Sequence, residues 1–137
     1  MLKINKLLDY ALLVTVTLAK NENILISAPG LSEETGLNIP TVRKLLNMLT
    51  IAGVVKYKRE TDNGYALAKS SKETKVLDVV NAVETQVSLT ECCSAEKSCY
   101  IAGKCTVRSY WKVVNKQILG LLSDTSIYEI ANNKEDK

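Results

Sequence analysis

The stretch from Ser27 to Gly64 constrains the fold more than any other part of the chain. Val42, Leu45, Leu46 and Leu49 recur at i, i+3, i+4 and i+7, which places them on one face of a helix. Asn38 stands at the N-cap position of that helix, Pro40 is tolerated in its first turn, and Gly53 stops it. Upstream, Ser27 caps a second short helix that ends at Gly36. Downstream, Val54–Arg59 and Gly64–Ala68 read as the strands of a hairpin, with Glu60 to Asn63 at its tip and Asn63-Gly64 as the turn signal. Two short helices about a glycine, a stop and a basic hairpin, in that order, spell a winged helix-turn-helix.

The rest of the chain surrounds this unit. Asn5 caps a first helix over about residues 6–20, with Leu8, Ala11, Leu12, Thr15 and Ala19 at helical spacing. A short apolar run, Ile24–Ile26, precedes Ser27, and Lys69–Glu73 reads as a polar linker. A helix follows over about residues 75–85. Thr106 can cap a long helix to about Leu122, carrying Val107, Tyr110, Trp111, Val114, Ile118, Leu121 and Leu122. Ser126 and Glu129 form a candidate capping box for a short last helix, and residues 132–137 are a polar, disordered tail. The fold class is thus mainly α with a small β-hairpin wing. Three regions are expected: a winged helix-turn-helix over 1–74, sensing and assembly helices over 75–131, and the tail.

This shape suits reading of double-stranded DNA. A helix enters the major groove, and side chains near its N-terminus reach base edges. Thr41, Arg43, Lys44 and Asn47 fall outside the buried stripe and are the candidates. The hairpin offers Lys56, Lys58 and Arg59 to phosphates or the minor groove. The net charge of +3 divides unevenly: residues 1–75 hold 11 Lys/Arg against 7 Asp/Glu, and residues 76–137 hold 7 against 8. A basic front half on a near-neutral rear half fits a nucleic-acid reader with an assembly part behind it. Lys3 and Lys6 precede the apolar stretch Leu7–Ala19, but Asp9 interrupts it, so it reads as a buried helix and not as an export signal. No run reaches the ~20 apolar residues of a membrane span. The expected compartment is the reducing cytoplasm, where structural disulfides are rare.

Four cysteines fall within Cys92–Cys105 as Cys-Cys-x5-Cys-x5-Cys, and the chain has no histidine. Cys93, Cys99 and Cys105 can wrap a metal centre with thiolates, and iron–sulfur clusters take thiolate ligands at four attachment points. Three cysteines leave one position open, for which Cys92 or a carboxylate is a candidate. A thiol-redox switch and a structural zinc are the other readings of the same thiols. The lack of histidine removes the usual zinc-water and histidine-base mechanisms. No acid/base pair, nucleotide loop or nucleophile triad is present, so the chain does not read as an enzyme.

Several segments carry a family resemblance. Lys6-Leu7-Leu8-Asp9-Tyr10-Ala11-Leu12 and Thr35-Gly36-Leu37-Asn38-Ile39-Pro40-Thr41-Val42-Arg43-Lys44-Leu45-Leu46 resemble the first helix and the recognition region of the IscR/NsrR/RirA superfamily of iron–sulfur regulators. Asn63-Gly64-Tyr65 looks like that family's wing motif, usually Gly-Gly-Tyr. Leu89-Thr90-Glu91-Cys92-Cys93, with Cys105-Thr106-Val107-Arg108 and Trp111, is most similar to the branch that regulates SUF-type assembly genes. The similarity spans about residues 1–131. The wing motif is common in the family, and the cysteine block is specific.

The resemblance implies a repressor that acts as a homodimer, with the Thr106–Leu122 helix crossing its partner over a pseudo-palindromic operator. It implies a cluster on Cys93, Cys99 and Cys105. Arg108 stands where IscR-like members carry a histidine, which argues against [2Fe–2S] ligation and favours [4Fe–4S]. Asp9 matches an aspartate that in NsrR-like members supplies the fourth ligand from the opposite subunit. A first-turn carboxylate favoured by the helix dipole is the other reading of Asp9. The resemblance thus leaves room for an NsrR-like nitric oxide sensor, and the thiols alone for a cluster-free thiol-redox or zinc-binding regulator.

Overall fold

The computed structural model describes residues 5–59, 63–84 and 107–133. Its elements are α1 (Lys6–Lys20), α2 (Ala28–Thr35), α3 (Ile39–Ile51), β1 (Val55–Lys58), β2 (Gly64–Leu67), α4 (Val76–Val83), α5 (Arg108–Asp124) and α6 (Ile127–Ala131). The helix starts follow from local chemistry. Asn5 Oδ1 accepts from Leu7 N–H at 2.9 Å, Ser27 Oγ from Gly30 N–H at 3.2 Å, and Asn38 Oδ1 from Thr41 N–H at 2.9 Å. Each cap satisfies a donor that the first helical turn leaves without a partner. Gly36 and Gly53 both sit at φ 82°, where a side chain is strained, and they terminate α2 and α3.

The α3 stripe behaves as its spacing requires. Val42, Leu45, Leu46 and Leu49 are fully buried, and Leu8, Ala11, Val14 and Leu18 of α1 and Leu31 of α2 belong to the same core. Val76, Val79 and Val80 of α4 and Ile127 of α6 complete that core, so the last helix packs on the first. Leu18 and its neighbours are large aliphatics, each worth about 1.5–3 kcal/mol when fully buried.

β1 and β2 pair antiparallel, with Val55 opposite Leu67, Lys56 opposite Ala66, Tyr57 opposite Tyr65 and Lys58 opposite Gly64. The hairpin has a third member. Ile26 and Tyr65 exchange both backbone hydrogen bonds, at 3.1 and 2.8 Å. This corrects the expectation for Asn63-Gly64 as the turn. Gly64 lies inside β2, and left-handed φ among the described glycines is confined to Gly36 and Gly53. Its glycine is required by proximity: a Cβ there would stand 2.8 Å from the backbone nitrogen of Ile26. Residues 60–62 of the tip lie outside the described residues.

Three further expectations change at their edges. The stretch Lys69–Glu73 is not a solvated linker throughout, because Ser71 is buried. The N-cap position of α5 is Val107, with no side-chain cap bond, and Thr106 lies outside the described residues. α4 is shorter than expected and begins where Lys75 N–H donates to Asp78 Oδ2 at 2.9 Å. Ser126 does cap α6, its Oγ accepting from Glu129 N–H at 3.2 Å.

Candidate nucleic-acid interface

α3 presents its second face to solvent. Arg43, Lys44 and Asn47 are exposed, and Thr41 is half-buried with its N–H held by Asn38. The helix contains no acidic residue, so its outward surface carries two positive charges without a counter-charge of its own. The buried stripe fixes how the helix is rotated. Turning Arg43 inward would require pulling a leucine out of the core.

The wing divides its candidates by strand alternation. Val55 and Tyr57 point to one face of β1, and Lys56 and Lys58 to the other. Lys56 and Lys58 are half-buried and line an open cleft of about 880 Å³ with Asn21, Glu22, Ile24 and Lys69. Arg59 is exposed just beyond β1. Two residues outside the sequence candidates lie on the two faces of the wing, Lys69 with the lysines and Tyr57 on the opposite face. Lys69 shares the cleft, and Tyr57 is 44% exposed with its ring 4.9 Å from that of Tyr65. The alternation of the strand carried the signal for Tyr57. Nothing local carried the one for Lys69.

Asp9 is exposed in the first turn of α1. Cys92, Cys93, Cys99 and Cys105 lie outside the described residues, and among the described residues no cluster of three metal-ligating side chains occurs. Among its described side chains α5 has no fully buried residue, and it exposes Tyr110 (62%), Val113 and Leu121 (66%). No helix among the described residues is long and apolar enough to cross a membrane.

Residues 4–133 match the family model for Rrf2, described as an iron-dependent transcriptional regulator. The chain belongs to the Rrf2 family. The family is one of transcription regulators and not of enzymes, and the exposed faces of α3 and the wing are the candidate DNA-reading surfaces. Among curated relatives, the regulator IscR of Photorhabdus laumondii is 31% identical over 105 residues, 77% of this chain and 63% of that protein. The chain thus spans less than two thirds of the length of that relative. IscR of Klebsiella pneumoniae is 27% identical over 127 residues, 92% of this chain and 77% of that protein. Among solved structures, CymR of B. subtilis, described as the global cysteine regulator, superposes with a TM-score of 0.79 at 24% identity, covering 98% of this chain and all of that one. IscR of T. potens gives 0.77 at 24% identity, covering 98% and 89%. These likenesses show the Rrf2 winged-helix fold.

Proposed function

We propose that this Rrf2 protein is a repressor that binds a pseudo-palindromic operator as a homodimer and reads iron–sulfur status through a cluster on Cys93, Cys99 and Cys105, controlling SUF-type assembly genes. Residues 1–74 do the reading of DNA, and residues 75–131 the sensing and assembly. The observation that carries the proposal is the Cys-Cys-x5-Cys-x5-Cys block, set between α4 and α5 in a chain without histidine. The donor chemistry fits the group: iron–sulfur clusters take thiolates, and Cys93, Cys99 and Cys105 would supply three of the four attachment points. The family description, iron-dependent, supports iron over zinc. The exposed apolar side chains of α5 support a second copy packed across it, since a stripe containing Tyr110, Val113 and Leu121 is costly to leave in water.

A bound cluster supplies a centre whose retention depends on oxygen, nitric oxide and iron supply. The chain's own residues supply the rest. Arg43, Lys44 and Asn47 stand ready for base edges and phosphates, and Lys56, Lys58 and Arg59 for the backbone alongside. If the two forms differ in DNA affinity, occupancy of the thiolates sets occupancy of the operator by linkage. The exposed carboxylate of Asp9 favours a second reading of the signal. An oxygen fourth ligand from the partner subunit leaves one iron easier to displace and suits nitric oxide sensing.

The test is anaerobic purification followed by iron, sulfide and absorption measurements. The expected result is a brown dimer with acid-labile sulfide, favouring [4Fe–4S]. Cys99→Ala abolishes the colour and Cys92→Ala keeps it. Stoichiometric zinc without sulfide, from iron-replete cells, refutes the cluster.

A further inference from the structure

Glu22 lies two residues past the end of α1, 49 residues before Ser71, and its carboxylate takes both of that serine's donors. Ser71 N–H donates to Oε2 and Ser71 Oγ–H to Oε1, each at 2.9 Å. Ser71 is 2% exposed, whereas Glu22 is exposed, so the bonds run from a buried serine to a carboxylate at the surface. Its carbonyl is engaged as well, accepting from Tyr128 N–H at 3.1 Å. Ser71 is thus held from one side by the end of α1 and from the other by α6. It lies four residues past Leu67, where the wing ends. The base of the wing is therefore pinned at a point that the hairpin's own ladder does not reach.

The same carboxylate lines the cleft that Lys56, Lys58 and Lys69 share. Lys56 and Lys58 are half-buried in this cleft and Lys69 is exposed at its edge. Glu73, the other carboxylate in the cleft, accepts from Ser70 Oγ–H at 3.2 Å. Both acids accept hydrogen bonds from the turn at 70–73.

We propose that Glu22 is a positioning residue for DNA binding, acting through Ser71 to hold the wing so that Lys56 and Lys58 meet backbone phosphates while α3 lies in the major groove. The inference rests on the assignment of those lysines to phosphates. It makes an unusual prediction of sign. Charge alone says that removing an acid beside three lysines tightens DNA binding. Positioning says that it weakens it.

The experiment compares the full chain with Glu22→Gln, Ser71→Ala, Lys58→Ala and both double variants with Lys58→Ala. The probe is a duplex of ~30 bp, about three helical turns, selected from a randomised pool. Fluorescence anisotropy gives affinity across a salt series, well below each variant's melting temperature. Each phosphate contact contributes about 0.9 to the slope of log K against log salt. Lys58→Ala alone is expected to lower the slope by about 1 per protomer. Glu22→Gln is expected to weaken binding and lower the slope by about 1–2 per protomer, with Lys58→Ala adding less on top of it than alone. Ser71→Ala, which removes only the hydroxyl bond, shifts both in the same direction and covers the case of a Glu22 variant that does not fold. Tighter binding by Glu22→Gln overturns the proposal in favour of simple charge. An unchanged slope in Glu22→Gln and Ser71→Ala, with Lys58→Ala fully additive, overturns it in favour of a purely structural clamp. A Lys58→Ala variant with wild-type slope instead refutes the underlying assignment of the wing lysines.

Discussion

Gly64→Ala gives the most direct test of why the wing has the sequence it does. In a strand, replacing glycine by alanine ordinarily stabilises by about 0.5–1 kcal/mol, because glycine loses more freedom on folding. Here the added Cβ stands 2.8 Å from the nitrogen, 2.9 Å from the carbonyl carbon and 3.0 Å from the oxygen of Ile26. These are backbone atoms, and Ile26 is fixed by its two hydrogen bonds to Tyr65, at 3.1 and 2.8 Å. Relief requires the bridge to open. Overpacking costs about 1–3 kcal/mol. Each lost hydrogen bond adds about 0.5–1.5 kcal/mol. After the propensity gain, the expected net loss is about 3 kcal/mol, a large share of the ~5–15 kcal/mol that holds a domain. Urea unfolding at fixed protein concentration measures it, with the slope m checked for constancy. A variant as stable as the wild type, or more so, refutes the reasoning, because only the propensity term would then survive.

Other perturbations have equally defined outcomes. Asn38→Ala removes the acceptor of Thr41 N–H and should cost about 0.5–2 kcal/mol in the same assay, without changing the dimer. Arg43→Ala, if its side chain reads a base edge, should cost about 1–3 kcal/mol of binding and relax sequence preference at one position; a uniform loss across sequences would make it a phosphate contact. Leu121→Glu places a charge on the exposed stripe of α5 and should give monomers in sedimentation at micromolar concentration, while an unaltered dimer would move the interface elsewhere. Asp9→Ala should keep fold and dimer but weaken cluster retention; a helix-end role alone predicts a loss of about 0.3–1 kcal/mol with unchanged cluster spectra.

The parts of this fold that were legible in the sequence are those whose causes are local. Asn5, Ser27, Asn38 and Ser126 each bond an N–H two or three residues ahead, so residue type and position sufficed to find four helix starts. The α3 stripe follows from periodicity within one helix. Gly64 was misread because the atoms that demand it belong to Ile26, far back in the chain, while Asn-Gly also fits a turn by itself. Ser71 was placed in a solvated linker because its partner, Glu22, lies 49 residues away. Lys69 joined the wing surface for the same reason: a cleft between separate elements leaves no periodic trace. The cysteine ligand set rests on residue type and spacing, and so on the sequence alone.

On the proposed function, the way the chain closes would link a sensing segment to a reading surface. α4 and α6 both pack on α1, and α5 with the cysteine segment is carried between them. The two ends of this excursion are stitched together. Val76 N–H donates to Thr125 O at 2.9 Å and Ile127 N–H to Thr74 O at 2.8 Å, joining the start of α4 to the junction of α5 and α6. Ile127 is fully buried in the core that contains the α3 leucines. A rotation of α5 therefore cannot be absorbed by a slack hinge at its C-terminal end. The backbone bonds that hold this end lie within a few residues of Ser71, which bonds Glu22 beneath the wing. In the proposed dimer, the stiffness of that joint would make the spacing between the two α3 helices a property of α5 packing.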